Sequence, residues 1–361
     1  MVSLGKGDFI DKVKSKKQTS KYTISLSFYT EHASERKVDI VLTNNRVPIT
    51  GGAGFIGSHL IDVLITMEAN IIILDNLSSG SLNNIKQHLD NQNLTFIHGD
   101  LLNPADVARA VDGCEIVYHL AANPEVRIGS ISPDIHYKQN ILATYNLLEA
   151  IRKAGTVNTL LFASSSTVYG EASKVPTPED YAPLEPISVY GASKLACEAL
   201  ITAYAHTYGF KAIIYRLANI VGTRSKHGVI HDFIQKLKKN PKQLEILGDG
   251  TQSKSYLYVA DCVEAMLLGL EKSSKSVEIY NVGSEDQITV KEIAKIITQE
   301  MGLKNVKFTY TGGVDGGRGW IGDVRNMLLD VNKLKSLGWK PEHNSKQAIT
   351  KTIKELTRQQ V

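Results

Sequence analysis

Tyr190 and Lys194 stand four residues apart, so on a helix they share one face. An ammonium beside a phenol favours the phenolate, and a Tyr tuned this way can take a proton from an alcohol near neutral pH. The chain has 15 tyrosines, so a Tyr-x-x-x-Lys pair is expected by chance alone. Its placement is what distinguishes it. The pair opens a helix-like segment directly after a Pro-rich loop, Pro176 to Pro186. Ser165 lies 25 residues earlier, at the end of an apolar strand-like run. Its hydroxyl could hydrogen-bond a substrate oxygen and share the proton with Tyr190. Ser164 and Ser166 are its rivals, and a Ser-rich strand end can also be a plain turn or helix cap.

A second constellation suits a phosphate-bearing cofactor. Thr50-Gly51-Gly52-Ala53-Gly54-Phe55-Ile56-Gly57 follows a short apolar run and opens an apolar-periodic segment. Strand, glycine turn and helix in that order let a pyrophosphate approach the backbone and meet free N–H groups at the helix N-terminus. The glycines fit two registers, 52/54/57 and 51/54/57, and spacing does not choose between them. After the helix comes Ile71-Ile72-Ile73-Leu74, ending in Asp75, 18 residues past Gly57. A carboxylate there hydrogen-bonds the adenosine ribose and repels a 2′-phosphate, so the cofactor is read as NAD rather than NADP.

The elements that must position these groups alternate. Strand-like runs cover Arg46–Thr50, Asn70–Asp75, Leu94–His98, Ile116–Leu120, Thr159–Ala163 and Ala212–Leu217. Helix-like segments span 55–66, 81–90, 104–111, 136–153 and 190–208. This predicts an α/β fold, a Rossmann-type doubly wound parallel sheet with a smaller C-terminal α/β substrate lobe. The boundaries expected are a flexible extension over 1–44, an NAD-binding domain over 45–220 and mostly a substrate-binding lobe over 221–361. The extension could instead add a strand pair. Pro48 is an oddity, since it removes a ladder donor from the central strand.

The 361 residues are 42% apolar and 22% charged, ordinary for a globular protein. Residues 1–46 hold nine Lys/Arg against five Asp/Glu and so carry the whole net charge of +4. The balanced remainder argues against a nucleic-acid surface. No membrane-spanning run and no signal peptide are read, and Cys114, Cys197 and Cys262 lack a Cys-x-x-Cys spacing. A cytoplasmic protein with reduced thiols and no bound metal is expected. His227 and His231 stand four apart, but without a third ligand they read better as a surface helix pair.

Over roughly residues 45–358 the chain resembles the extended short-chain dehydrogenase/reductase family, among its NAD-dependent nucleotide-sugar epimerases and dehydratases. Within these it looks most like UDP-glucose (UDP-galactose) 4-epimerases. The resemblance rests on the glycine motif, Asp75-Asn76-Leu77, Gly99-Asp100, His119 to Ala122, Ser164 to Gly170, Tyr190 to Lys194, Arg216 to Asn219, Gly248-Asp249-Gly250 and Gly322-Asp323. It implies pyrophosphate contacts from Phe55 and Ile56 beside Gly51, Gly54 and Gly57. Asp75, Asn76, Ser79 and Gly80 would surround the adenosine ribose, and Asp100 and Leu101 the adenine. Leu120, Ala121, Ala122 and Asn140 would lie along the cofactor. Counting back from Tyr169 selects Ser165 for a Ser165–Tyr190–Lys194 catalytic set. Asn219 would hold the UDP-sugar, and Lys254 and Arg318 its diphosphate.

The implied reaction has no net redox. Tyr190 removes the C4 hydroxyl proton, hydride passes to NAD, the 4-keto sugar turns over, and hydride returns to its other face. A homodimer pairing through 136–153 and 190–208 is also implied. Three departures are visible: Lys254 replaces a usual Arg, Pro124 a frequent Lys, and Met327 a bulky Tyr of enzymes restricted to UDP-glucose. Met is adaptable, so UDP-N-acetylhexosamines would also fit. A 4,6-dehydratase needs an Asp-Glu pair where this chain has Ser166-Thr167. A dehydrogenase of the same fold would keep every cofactor and catalytic residue. An idle NAD-sensing protein would be expected to have a degraded catalytic set, and this one is intact.

Overall fold

The computed structural model describes residue 42, residues 45–358 and the backbone of three strands, β1 (Val13–Lys17), β2 (Ile24–Tyr29) and β3 (Glu35–Ile40). These three form an antiparallel sheet in chain order. The rest of the extension expected over 1–44 lies outside the described residues.

The alternating segments follow as β4 (Arg46–Thr50), α1 (Phe55–Thr66), β5 (Asn70–Asp75), β6 (Leu94–His98), α2 (Pro104–Val111) and β7 (Ile116–His119). Next, α3 (Asp134–His136) runs through a π turn, Tyr137–Leu142, into α4 (Ala143–Ala154). Then come β8 (Thr159–Ser165), α5 (Val189–Tyr208), β9 (Lys211–Leu217) and β10 (Asn219–Val221). The lobe starts with α6 (Gly228–Lys239), β11 (Gln243–Ile246), β12 (Ser253–Lys254) and β13 (Tyr256–Tyr258). Helix α7 (Val259–Lys272) and strand β14 (Val277–Val282) return to the main sheet. The chain closes with β15 (Ile288–Thr289), α8 (Val290–Glu300), β16 (Lys307–Tyr310), β17 (Asn326–Met327), α9 (Asn332–Lys335) and α10 (Ser345–Arg358).

The main sheet is seven-stranded and parallel, in the order β14-β9-β8-β7-β4-β5-β6. Its inner strands β5, β8 and β9 are buried on both faces, which is why they read as continuous apolar runs rather than alternating ones. One face packs on α1 and α7 through Leu60, Leu64 and Met266. The other packs on α2, α4 and α5 through Val107, Leu147 and Ile201. The lobe has its own core around Phe233, Ile246, Ile293 and Ile349. Strand order reverses between β4 and β7, and ligands of such sheets collect at the carboxyl ends beside that point.

Sequence and structure differ in several places, of which three bear on the site. Residues 81–90 form two 3₁₀ turns, Leu82–Asn84 and Lys86–His88, rather than a helix. Ser81 N–H and Asn84 Nδ2 both donate to Ala53 O, at 2.9 and 2.8 Å, and pin this stretch to the glycine turn. Strand β8 runs on to Ser165, two residues past its expected end. Strand β14 was not anticipated and pairs with β9 along its full length.

Pro48 fits by direction. Gly51 N–H donates to Leu74 O in β5, and Thr50 O accepts from Leu120 on the β7 side. Alternation therefore turns Pro48 toward β7. There the pairing reaches only Ile49 and Thr50, whereas with β5 it covers all of β4. Among the described residues no helix is long and apolar enough to cross a membrane.

Candidate active site

A cleft of about 790 Å³ opens over the carboxyl ends of the strands, between the sheet and the lobe. Its cofactor end is made by backbone. Gly51 has φ +71°, and a Cβ on it would lie 2.8 Å from the backbone of Ala121. A Cβ on Gly57 would lie 2.5 Å from Gly51 O, and Gly54 N–H donates to that same oxygen at 3.0 Å. A Cβ on Gly52 would meet only side chains closely, Ile73 and Ile61. The turn therefore runs on the 51/54/57 register. Gly54 caps α1 without a side-chain bond, and no acid stands in the first helical turn. The free N–H groups and the helix dipole are left for an anion.

Asp75 closes this end. Its carboxylate is buried and accepts from Ala53 N–H at 3.0 Å and Leu77 N–H at 2.8 Å. Burial pushes the carboxyl upward, and the two backbone donors oppose that. Asn76 Nδ2 donates to Asp100 Oδ2 at 2.9 Å, joining the two acidic strand ends. Asn76, Ser79, Asp100, Leu101, Leu120, Ala121 and Ala122 all line the cleft with Phe55 and Ile56. A cradle that any Cβ would fill, an acid against a 2′-phosphate and an apolar wall together fit NAD. Two residues predicted here are not in the lining. Gly80 packs against Ala53 and Asp75. Asn140 is buried, donates to Ser193 Oγ at 2.8 Å and accepts from Asn123 N–H at 2.9 Å.

Ser165, Tyr190 and Lys194 converge on the cleft. Ser165 caps the 3₁₀ turn Ser166–Tyr169, accepts from Thr167 N–H at 3.2 Å and from Thr167 Oγ1 at 2.9 Å, and lines the cleft beside Tyr190. Its neighbours are otherwise engaged. Ser164 Oγ is bound to Glu198, and Ser166 is buried although it also lines the cleft. Lys194 Nζ donates to Ala163 O at 2.7 Å and sits 4.7 Å from the centre of the Phe162 ring. Burial pushes Tyr190 up to about 12, against the pull of Ser165. Burial likewise lowers Lys194 to about 8, although Cys197 and Glu198 favour its charge. In the protein alone burial sets the direction for the phenol, and Ser165 rather than Lys194 opposes it. The positive nicotinamide of bound NAD would act in the direction needed.

Two polar residues nearby are held by other side chains. His119 bridges Thr50 Oγ1 at 2.7 Å and Thr144 Oγ1 at 2.9 Å, and burial lowers it to about 3. Tyr169 OH donates to Asn281 Oδ1 at 2.7 Å and accepts from Arg216 at 2.9 Å.

The other end of the cleft is made by side chains. Lys254 pairs with Asp323 at 2.6 Å, and Arg127 with Glu125 at 2.9 Å. Both cations lie against the ring of Trp320, at 5.6 and 5.8 Å. Asn219 lines the cleft and donates to Ser255 O at 3.0 Å. Pro124 and Met327 also line it. Arg318 does not. It is engaged by Glu171, by Asp315 at 3.2 Å and by Asp323 O at 2.8 Å. Arg127 and Trp320 were missed from sequence. The only signal was a Trp, one of two in the chain, beside Gly322-Asp323. His227 and His231 line the cleft as well. Among the described residues, the His/Asp/Glu group close enough to share an ion is Asp261, Glu342 and His343, none of which lines the cleft. There Asp261 accepts from Glu342 N–H at 3.2 Å and pairs with His343 at 3.5 Å.

A doubly wound sheet with a glycine cradle and an acid at the end of its second strand defines the class, an NAD-dependent enzyme. The particular family follows from comparison. Residues 47–283 match the NAD dependent epimerase/dehydratase family, and the chain belongs to it. It is 36% identical over 312 residues to a putative UDP-glucose 4-epimerase of Methanocaldococcus jannaschii, covering 84% of this chain and 96% of that one. The solved UDP-glucose 4-epimerase of Thermotoga maritima, with UDP-glucose, is 34% identical with a TM-score of 0.77, covering 88% and 100%. A UDP-N-acetylglucosamine 4-epimerase from Methanobrevibacter ruminantium, in complex with UDP-N-acetylmuramic acid, is 30% identical with a TM-score of 0.77, covering 88% and 99%.

Proposed function

We propose that the protein interconverts UDP-glucose and UDP-galactose by epimerisation at C4. The observation that carries this reading is the convergence of Ser165, Tyr190 and Lys194 on the cleft, with no acid pair following the serine. Bound NAD supplies the hydride acceptor and donor. Ser165 holds the C4 oxygen, and Tyr190 takes its proton and later returns it. Lys194, fixed by Ala163 O, orients the ribose side of the cofactor and keeps positive charge near the phenolate. The next two residues, Ser166 and Thr167, carry no acid to drive loss of water, which argues against dehydration at C5 and C6. Retention of the cofactor and exclusion of water let the keto sugar be reduced again rather than lost.

A coupled measurement tests the reading. Purified protein is mixed with UDP-galactose, and UDP-glucose and NADH absorbance are followed together. UDP-glucose forming without NADH release, and absent in Tyr190→Phe, is the expected result. Steady NADH production would make the protein a dehydrogenase. Met327 in the cleft lining favours a second reading, turnover of UDP-N-acetylhexosamines, which the same assay detects with the N-acetylated pair. We also infer a homodimer through α4 and α5, whose Tyr145 and Tyr208 are exposed. Light scattering would reveal a monomer if this is wrong.

A further inference from the structure

Asp62 lies on α1, seven residues past Phe55, outside the cleft lining. It is a buried carboxylate with partners from three places. Oδ1 accepts from Gln87 Nε2 at 2.9 Å and from His88 Nε2 at 2.7 Å. Oδ2 pairs with Arg224 Nη2 at 2.8 Å and stands 3.9 Å from His59 Nδ1. His59, one turn earlier on the same helix face, reaches Thr223 O at 3.1 Å through Nε2. Burial first, and the Arg224 charge second, lower His59 to about 4, so near neutrality it is uncharged beside a fixed guanidinium.

These partners belong to the two walls of the cofactor end. Gln87 and His88 follow the ribose loop, which is itself tied to the glycine turn by Ser81 and Asn84 on Ala53 O. Thr223 and Arg224 belong to the stretch that carries the opposite wall, where Gly222, Arg224, Ser225 and Lys226 line the cleft. A Cβ on Gly222 would lie 2.6 Å from Val259 and 3.3 Å from the Phe55 ring, so this loop is seated on the start of α1. Arg224 itself has φ +66°, a strained backbone for a non-glycine residue that persists only where surrounding contacts hold it.

We propose that Asp62 is a positioning residue for cofactor retention: its carboxylate clasps the ribose-loop segment and the Arg224 loop to α1, so both walls hold NAD as one unit. The inference rests on NAD binding and not on which sugar is turned over. A charge-assisted bond lost from a buried site is costly, and here its loss would loosen both walls together.

The test measures cofactor exchange with no sugar present. Holoenzymes of wild type, Asp62→Asn and Asp261→Asn are purified, and bound NAD is chased with labelled NAD. Asp261 is an equally buried carboxylate that holds a different loop, so it reports mere destabilisation. Exchange on the order of tenfold faster in Asp62→Asn, with Asp261→Asn exchanging like wild type, supports the clasp. Equal exchange in all three, whatever their melting temperatures, overturns it. If Asp62→Asn does not fold, Arg224→Gln, on a partly exposed loop residue, replaces it with the same two outcomes.

Discussion

The two ends of the cleft are built on opposite plans. The cofactor end is backbone: Gly51, Gly54, Gly57 and Ala121 leave a cavity that any side chain would fill. The proposed substrate end is charge, and two of its cations already have an internal partner, Lys254 with Asp323 and Arg127 with Glu125. A backbone cradle needs no rearrangement to bind, so a group placed in it can stay through many turnovers. On the proposed function, a diphosphate arriving at the other end would compete with carboxylates for these two cations, which would hold its affinity down and let product leave. One end is built for retention and the other for exchange.

Lesions at the two ends should therefore differ in kind. The largest effect is expected between them, at the base. Tyr190→Phe should lose about 10²–10⁴-fold in kcat with NAD content unchanged, as judged by acid release of the cofactor. Next is Lys194→Met. In the folded protein Lys194 sits near 8 instead of its ordinary 10.5, so between those values the unfolded chain binds the extra proton and wild-type stability rises with pH. The Met variant lacks this titration. Its advantage in urea melts should be a few kcal/mol below pH 8 and should fade as pH rises toward 10.5.

Gly51→Ala should cost roughly 1–3 kcal/mol of strain and strip NAD during purification. Lys254→Ala should instead raise KM for the UDP-sugar about tenfold, leaving NAD content and kcat near wild type. If Lys254→Ala lost NAD while Gly51→Ala kept it, the contrast drawn above would be wrong. The smallest change expected is in Met327→Tyr, a few-fold selective loss on N-acetylated sugars measured against UDP-galactose.

The retention end was legible in the sequence because its demands are local. A positive φ at Gly51 and a close approach at Gly57 can be met by few residues, so the motif names the turn. Asp75 was legible as the end of an apolar run. The register was not, because it depends on where Ala121, from the loop after β7, presses on the turn. The exchange end depends on pairings between distant segments. Arg318 was expected on the diphosphate, yet Glu171 and Asp315 hold it elsewhere. Arg127 comes from a 3₁₀ turn and meets Trp320 from the far end of the chain. The Tyr190 phenol obeys a related rule, since spacing reveals the Lys but not the depth of burial that raises the phenol. Residues 81–90 follow the same rule, because their 3₁₀ turns answer to Ala53 O rather than to their own composition.

The proline in the central strand has one more consequence. Strands β4 and β7 are joined only at Ile49 and Thr50, the end nearest the cofactor. A fluctuation that parts the sheet along this line meets the fewest ladder bonds at the opposite edge, so that edge gives way first. Breathing of the sheet is thereby directed away from the nucleotide. Amide exchange along the seam should slow steadily from the base of the strands toward the glycine turn.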